Sequence, residues 1–232
     1  MSGAAQENQP LRVGVSHFLP PFSIEGANHQ LSGFDIILMQ HLCGILQRQC
    51  KFVVMDTEQI VAAVADERVD LGISDLTISL ERYKQADFTI PYMLSESRFL
   101  ATSTFKSQST DLRVLQNKQI GVQANTVYAD QLQQMGHLES NIVTFTHESE
   151  LIDALNQGNI DLALMSNPTA LYWSNQTSNT LRVIGEPILY GFGIGIAVNP
   201  KKPELTQAIN AAILRTQNSN EYTQIYQMYF GS

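Results

Sequence analysis

Positive charge is scarce in this chain of 232 residues. It has 14 Lys and Arg against 22 Asp and Glu, which gives a formal net charge of -8 at pH 7. A surface that binds nucleic acid or an anionic membrane needs a concentrated basic patch, so the composition argues against both partners. The sequence also lacks any uncharged apolar run near the roughly 20 residues that span a bilayer. We therefore expect a soluble globular protein.

Motifs for metal, nucleotide and nucleophilic chemistry are missing as well. The five histidines have neither the spacing nor the cysteine partners of a zinc site. The sequence contains no Gly-x-Ser-x-Gly elbow and no glycine-rich phosphate loop. It therefore predicts no metal site and no cofactor.

Cysteine is limited to Cys43 and Cys50. Two cysteines this close form a local disulfide in an exported protein or remain two buried thiols, and their spacing does not decide between these states. The first residues, Met1 to Pro10, lack the basic start and apolar core of an export signal. We interpret them as the N-terminus of a mature protein whose signal peptide has been removed.

Apolar residues alternate between strand and helix periodicity in two successive halves. Each half predicts a βαβαβ unit with a parallel sheet, and ligands of such sheets bind at the carboxyl ends of the strands. Two such lobes create a cleft for a small molecule. The predicted strands are 11–15, 51–55, 70–73, 119–122, 142–145 and 160–165, and the predicted helices are 34–50, 57–67, 126–135 and 148–157.

One segment combines a strand with groups that suit a small anion. The apolar run from Val69 ends in Ser74, Asp75 and Thr77, and Arg82 follows shortly after. The planar fork of an arginine binds a carboxylate through two parallel hydrogen bonds, while hydroxyls bind the remaining lone pairs. The alternative is a solvated surface loop.

Several ordered motifs resemble the family 3 solute-binding proteins of bacterial ABC importers. The resemblance covers Leu11 to Gly231 and is nearest to the arginine and the lysine/arginine/ornithine/histidine binders. It implies an α/β fold of the type II periplasmic-binding-protein class, with two lobes that each contain a central, mostly parallel sheet flanked by helices. It also implies a disulfide between Cys43 and Cys50. The motifs are Leu31–Ile36, Ser74–Arg82, Asp87–Tyr92, Ile120–Gln123 and Tyr222–Phe230.

The resemblance further implies a discontinuous first lobe, residues 10–94 and 190–232, and a second lobe, residues 97–186. Two hinge strands near 94–97 and 186–190 would join them and close the lobes around a ligand. The ligand is expected to be an amino acid or a related carboxylate, and the partner a membrane permease. We expect a periplasmic monomer.

In this family the arginine at the position of Arg82 binds the ligand α-carboxylate, with the residue at Thr77 and the backbone of Ser74 and Asp75. Asp75 stands where a small residue is usual. Its carboxylate can pair with Arg82 or reach a ligand ammonium group, and the sequence does not choose between these.

Other positions depart from the family pattern. Residues 124–127 fall where the family commonly has a Gly-Thr-Thr turn, and Val127 departs from its second Thr. We expect Asn125 to be left-handed, and Thr126 either to cap the next helix only or also to present its hydroxyl and backbone amides to the ligand carboxylate. The acid that usually pairs with the ligand ammonium is replaced by Ser166, which Asn167 follows. Three further candidates line the first lobe: Ser16 in place of an acid, Leu19 in place of an aromatic residue, and Phe18.

Two other functions are compatible with this fold. A dehydratase acting on cyclohexadienyl compounds or arogenate needs a general acid, for which Asp75 and Glu96 are the candidates. We expect Glu96 to be solvated in a hinge, which disfavours that role. A ligand-sensing receptor ectodomain is the other alternative, and the ending at Gly231 and Ser232 without a membrane segment favours the free binding protein.

Overall fold

The computed structural model describes residues 9–178 and 180–230, so most of the predicted mature N-terminus and the last two residues lie outside the described residues. The strands are β1 (Leu11–Ser16), β2 (Phe18–Leu19), β3 (Ser23–Glu25), β4 (Leu31–Ser32), β5 (Cys50–Met55), β6 (Leu71–Gly72), β7 (Asp87–Phe88), β8 (Glu96–Thr102), β9 (Ile120–Gln123), β10 (Ile142–Phe145), β11 (Leu162–Ser166), β12 (Leu181–Leu189) and β13 (Ala197–Val198). The helices are α1 (Phe34–Ile45), α2 (Ile60–Ala65), α3 (Leu80–Tyr83), α4 (Leu112–Leu115), α5 (Tyr128–Gln134), α6 (Glu148–Gln157), α7 (Asn167–Gln176), α8 (Pro203–Gln217) and α9 (Asn220–Phe230).

The chain divides into two compact units. The first ends at Leu94 and resumes at Phe192, and the second runs from Ser95 to Gly191. Each unit contains a five-stranded sheet, which confirms the α/β fold class. The hinge segments near 94–97 and 186–190 stay a prediction.

The sheet of the first unit has the order β5-β1-β6-β13-β7. Strands β5, β1 and β6 are parallel, and β13 pairs antiparallel with β6 and β7. Helices α1, α8 and α9 contribute to the core on one side, and α2 contributes to a second core cluster. Strand β1 is almost wholly buried, as expected for a strand inside a covered parallel sheet.

Helix α1 is shorter than the sequence predicted. It ends at Ile45, because Gln47 has a φ of 54° that an α-helix does not accommodate, and Cys50 already belongs to β5. The disulfide between Cys43 and Cys50 is present and joins α1 to β5. This confirms the pairing that the resemblance implied.

The sheet of the second unit has the order β10-β9-β11-β8-β12. Strands β10, β9 and β11 are parallel, whereas β8 is antiparallel to both β11 and β12. Helices α4 and α5 pack into one core cluster, and α6 and α7 into another. Because β8 lies between two partners, its backbone is fixed on both edges. No helix in the described part of the chain is long and apolar enough to cross a bilayer.

Candidate functional site

Hydroxyl groups meet at the carboxyl edge of the first unit's sheet. The backbone N–H of Ser16, the last residue of β1, donates to Ser74 Oγ at 3.1 Å. The hydroxyl of Thr57, just after β5, donates to Ser16 Oγ at 2.8 Å. Ser16 and Ser74 are each 1% exposed. These hydrogen bonds satisfy buried polar groups and fix three chain segments relative to one another at the predicted ligand edge.

Arg82 is positioned by its own short helix. Ser79 caps α3 by accepting the Arg82 N–H, and Arg82 Nη1 donates to the carbonyl oxygen of Thr77 at 2.8 Å. Thr77 is buried and forms an isolated bridge with Ile194. The half-buried guanidinium is therefore held against the segment that the sequence assigned to the ligand carboxylate. Such a preset fork suits bidentate carboxylate binding.

The backbone of Asp75 is strained, and its amide hydrogen forms a hydrogen bond within the first unit. Its φ of 49° lies in the left-handed region, which costs a non-glycine residue about 1 kcal/mol. Its N–H donates to Asp35 Oδ2 at 3.0 Å. That the Asp75 backbone binds the ligand carboxylate stays a prediction, and in this structure the amide hydrogen has an acceptor inside the unit.

Asp35 is a buried carboxyl that sequence reasoning missed as a part of the site. Asp35 is 0% exposed, and its Oδ1 accepts a hydrogen bond from the Tyr92 hydroxyl at 2.8 Å. Burial raises the pKa of Asp35 to about 7, although both hydrogen bonds oppose this shift. Burial and the Asp35 charge raise the pKa of Tyr92 well above its usual value. An aspartate in the first turn of a helix usually caps or faces solvent, so the sequence offers no signal of this burial.

The two apolar candidates of the first unit, Phe18 and Leu19, differ in how much side-chain surface they expose. Phe18 and Leu19 form β2, which pairs with β3. Leu19 is buried, so it offers little surface to a ligand, whereas Phe18 is half-buried. Phe18 stays the aromatic candidate.

The predicted turn of the second unit follows β9. Asn125 is exposed with a φ of 57°, the left-handed conformation expected from the sequence. The expectation that Thr126 caps α5 is wrong, because the helix starts at Tyr128 with Val127 at its N-cap and no side-chain cap. The Thr126 hydroxyl instead donates to the carbonyl oxygen of Gln123 at 2.6 Å and so stabilises the turn.

Ser166 and Asn167 lie where β11 ends and α7 begins. Ser166 is buried, and its hydroxyl donates to Thr169 Oγ1 at 3.0 Å. Asn167 Nδ2 donates to Glu96 Oε2 at 3.3 Å. Glu96 is half-buried at the start of β8, so it is less exposed to solvent than the sequence led us to expect. The second unit thus places the Glu96 carboxylate within hydrogen-bond distance of Asn167, at the end of β11.

Comparison with known proteins agrees with this architecture. A sequence model of the bacterial extracellular solute-binding proteins, family 3, matches residues 11–232. The chain belongs to this family. ABC transporter arginine-binding protein 1 of Escherichia coli (strain K12) is 28% identical to this family 3 protein over 230 residues, which is 97% of this chain and 93% of the relative.

Solved structures are similar over nearly the whole length of this family 3 protein. An arginine 3rd transport system periplasmic binding protein from Legionella pneumophila has 31% identity and a TM-score of 0.89, with 96% of this chain and 100% of that chain covered. An ancestral arginine-binding protein bound to glutamine has 29% identity and a TM-score of 0.86, with 97% and 99% covered. The type II periplasmic-binding-protein fold is therefore confirmed.

Proposed function

We propose that this protein is the substrate-binding component of an ABC importer and captures an amino acid or a related small carboxylate. The observation that carries the proposal is the half-buried Arg82 guanidinium, fixed to the Thr77 carbonyl oxygen at the carboxyl edge of a parallel sheet. Ligands of open α/β sheets bind at this edge, and the guanidinium provides the charge complement of a carboxylate.

Candidate ligand-binding groups are present in each unit. The Arg82 segment belongs to the first unit, and the Asn125–Thr126 turn and the Ser166 edge belong to the second. The relatives named above support arginine and glutamine as the first ligands to test.

Binding is measured by thermal shift and calorimetry against the twenty L-amino acids and L-cystine. A ligand that binds only the folded state at a hundred times its Kd stabilises it by about 2.7 kcal/mol. Arg82→Lys keeps the charge but removes the fork, so we expect at least a tenfold increase in Kd. Arg215→Lys is the matched control, because Arg215 is exposed on α8. The proposal fails if no carboxylate stabilises the protein, or if Arg82→Lys binds as the wild type does.

We propose a binding role and not an enzymatic one. The dehydratase alternative rests on Glu96, a half-buried carboxylate held by Asn167. Incubation with prephenate and with arogenate tests it, because either substrate would yield an aromatic product that absorbs in the ultraviolet. Product formation that Glu96→Gln abolishes would replace the binding proposal with the enzyme.

Periplasmic location and a permease partner follow from the same proposal. Fractionation of cells that express the full gene tests the location. Stimulation of the importer's ATPase in liposomes by the ligand-loaded protein tests the partner. A full gene that encodes a membrane-anchored effector domain after residue 232 would instead support the sensing ectodomain.

A further inference from the structure

The candidate ligand segment Ser74–Thr77 has an irregular backbone that other parts of the first unit must hold. It lies between strand β6, which ends at Gly72, and helix α3, which begins at Leu80. Asp75 has a φ of 49°, in the left-handed region. A residue other than glycine keeps such a conformation only where the surrounding structure fixes it. The contacts that fix this segment therefore determine its geometry.

One end of the segment is held by Asp35 of helix α1. The Asp75 N–H donates to Asp35 Oδ2 at 3.0 Å, and the Tyr92 hydroxyl donates to Asp35 Oδ1 at 2.8 Å. Each carboxyl oxygen thus has its own donor, so rotation of the carboxyl group would break a hydrogen bond. Asp35 is 0% exposed and Tyr92 is 1% exposed, so bulk water is not at hand to replace either partner.

The other end of the segment is held by Ile194. Thr77 forms an antiparallel bridge with Ile194, and the carbonyl oxygen of Ile194 accepts the Tyr92 N–H at 2.8 Å. Tyr92 therefore joins both anchors, because its hydroxyl group donates to Asp35. These contacts close into an anchoring circuit, which consists of Asp75, Asp35, Tyr92, Ile194 and Thr77.

The guanidinium of Arg82 depends on the same segment. Its Nη1 donates to the carbonyl oxygen of Thr77 at 2.8 Å, so a shift of this carbonyl would move or release the guanidinium. A binding group that is already in place loses less conformational entropy when its ligand arrives. A residue of the anchoring circuit can therefore affect carboxylate binding without touching the ligand.

We propose that Asp35 is a positioning residue that preorganises the Arg82 half of the ligand site by holding the backbone of Asp75. The inference rests on the proposed function and deepens it, and it concerns groups of the first unit alone. The property that matters is the hydrogen-bond acceptor at position 35. Asparagine offers the same acceptor as aspartate, whereas leucine has a similar size and offers none.

Hydrogen exchange tests the anchoring role without a ligand. The variants are Asp35→Leu and its matched control Asp35→Asn. We expect amides in peptides covering residues 74–79 to exchange about tenfold faster in Asp35→Leu than in Asp35→Asn. Residues 51–55 of the same unit should differ by less than threefold, which excludes a general loss of stability. The proposal is overturned if residues 74–79 exchange equally in the two variants, or if both regions accelerate alike.

Calorimetry tests the consequence for binding, with L-arginine, L-glutamine and the rest of the amino-acid panel as probes. For a probe that binds the wild type, we expect the Kd of Asp35→Leu to rise about tenfold or more. Asp35→Asn should retain most of the affinity, because it restores the acceptor for the Asp75 N–H. Urea unfolding shows that each variant is folded under the conditions of the titration. Wild-type affinity in a folded Asp35→Leu would overturn the proposal.

Tyr92→Phe is a second variant that keeps the proposal testable if Asp35→Leu does not fold. It leaves Asp35 with the hydrogen bond from Asp75 but removes the hydroxyl that orients the carboxyl group, so we expect the Kd to rise about two- to fivefold. Tyr226→Phe is its matched control, because the Tyr226 ring also packs against Phe34 but is exposed on α9. Tyr226→Phe should bind as the wild type does. If Tyr92→Phe does so as well, the positioning role is refuted.

Failure of the two proposals can be told apart. If an amino acid binds the wild type and every Asp35 and Tyr92 variant equally well, the positioning role is overturned and carboxylate binding stands. If no amino acid binds the wild type, the proposed function is overturned together with the role of Asp35 in binding, while hydrogen exchange still measures how Asp35 holds the segment.

Discussion

Asp35→Asn should increase the stability of this protein at pH 8 but not at pH 4. The Asp35 carboxyl is fully buried, and its pKa is about 7 in the folded state against a usual 3.8. Between these values the unfolded chain releases the proton while the folded chain keeps it. The stability that protonated Asp35 contributes is therefore fully present below pH 4 and is lost as the pH rises through 7.

The size of the effect follows from the same two values. Each pKa unit corresponds to about 1.36 kcal/mol, so the loss between pH 4 and pH 8 is at most about 4 kcal/mol. Asparagine carries no charge to desolvate. Its Oδ1 can accept the Asp75 N–H and its Nδ2 can donate to the Tyr92 hydroxyl oxygen, so both hydrogen bonds of the carboxyl have a replacement.

The assay is urea unfolding of both proteins at pH 4, 6, 7 and 8, followed by circular dichroism. Tyr92 and Tyr222 face this carboxyl, and burial raises the pKa of Tyr222 to about 12, so neither tyrosine ionises in this range. Asp75 is also close, but it is present in both proteins and cancels from their difference. The quantity to compare is the free energy of unfolding of Asp35→Asn minus that of the wild type. We expect this difference to rise by about 2 to 4 kcal/mol between pH 4 and pH 8.

Asp70, a carboxyl whose pKa is lowered and not raised by its surroundings, provides the control. The hydrogen bonds from Arg12 and Lys202 hold the pKa of Asp70 at about 2, although burial opposes them. The stability from Asp70 is present above its unfolded pKa and is lost as the pH falls towards 2, so Asp70→Asn should destabilise the protein at pH 8. The reasoning about Asp35 is refuted if the difference between Asp35→Asn and the wild type is the same at pH 4 and pH 8 within about 0.5 kcal/mol, which is near the error of extrapolated unfolding energies.

Three further predictions concern stability. The disulfide closes a loop with a sequence separation of 7, so replacing Cys43 and Cys50 by serine should lower the free energy of unfolding in urea by about 2.5 kcal/mol, and no change would refute this. Gly33 has a φ of 125°, and a Cβ there would lie 2.2 Å from the carbonyl oxygen of Phe22, so Gly33→Ala should lower the melting temperature strongly. Gly44 is helical with nothing within 4 Å of its added Cβ, so Gly44→Ala should stabilise by about 0.5 to 1 kcal/mol. Equal effects of the two alanines would contradict the backbone argument.

The parts of the fold that follow from local periodicity could be predicted from the sequence. Both parallel βαβαβ units are present, because apolar residues at period 2 and at helical spacing specify strands and helices wherever one face must be buried. Element ends were less predictable. Helix α1 ends at Ile45 because of the left-handed Gln47, and α5 begins two residues after Thr126, and neither event has a unique local signature.

The candidate site was only partly predictable, for a different reason. Arg82 and Thr77 are neighbours along the chain, so their juxtaposition follows from local spacing. The contact of Asp35 with Asp75 joins residues 40 positions apart, and that of Glu96 with Asn167 joins residues 71 positions apart. Such contacts depend on which strands pair, which one sequence without an alignment does not reveal.

The two buried carboxyls of the first unit differ in the charge of their partners. Asp70 is bound by the cations Arg12 and Lys202, which lower its pKa to about 2 although burial opposes them. Asp35 accepts hydrogen bonds from the Asp75 amide and the Tyr92 hydroxyl, which carry no positive charge, and burial raises its pKa to about 7. The opposite directions of the two pKa shifts therefore follow from the partners of each carboxyl and not from burial alone. The stability differences of Asp35→Asn and Asp70→Asn from the wild type should accordingly change with pH in opposite directions.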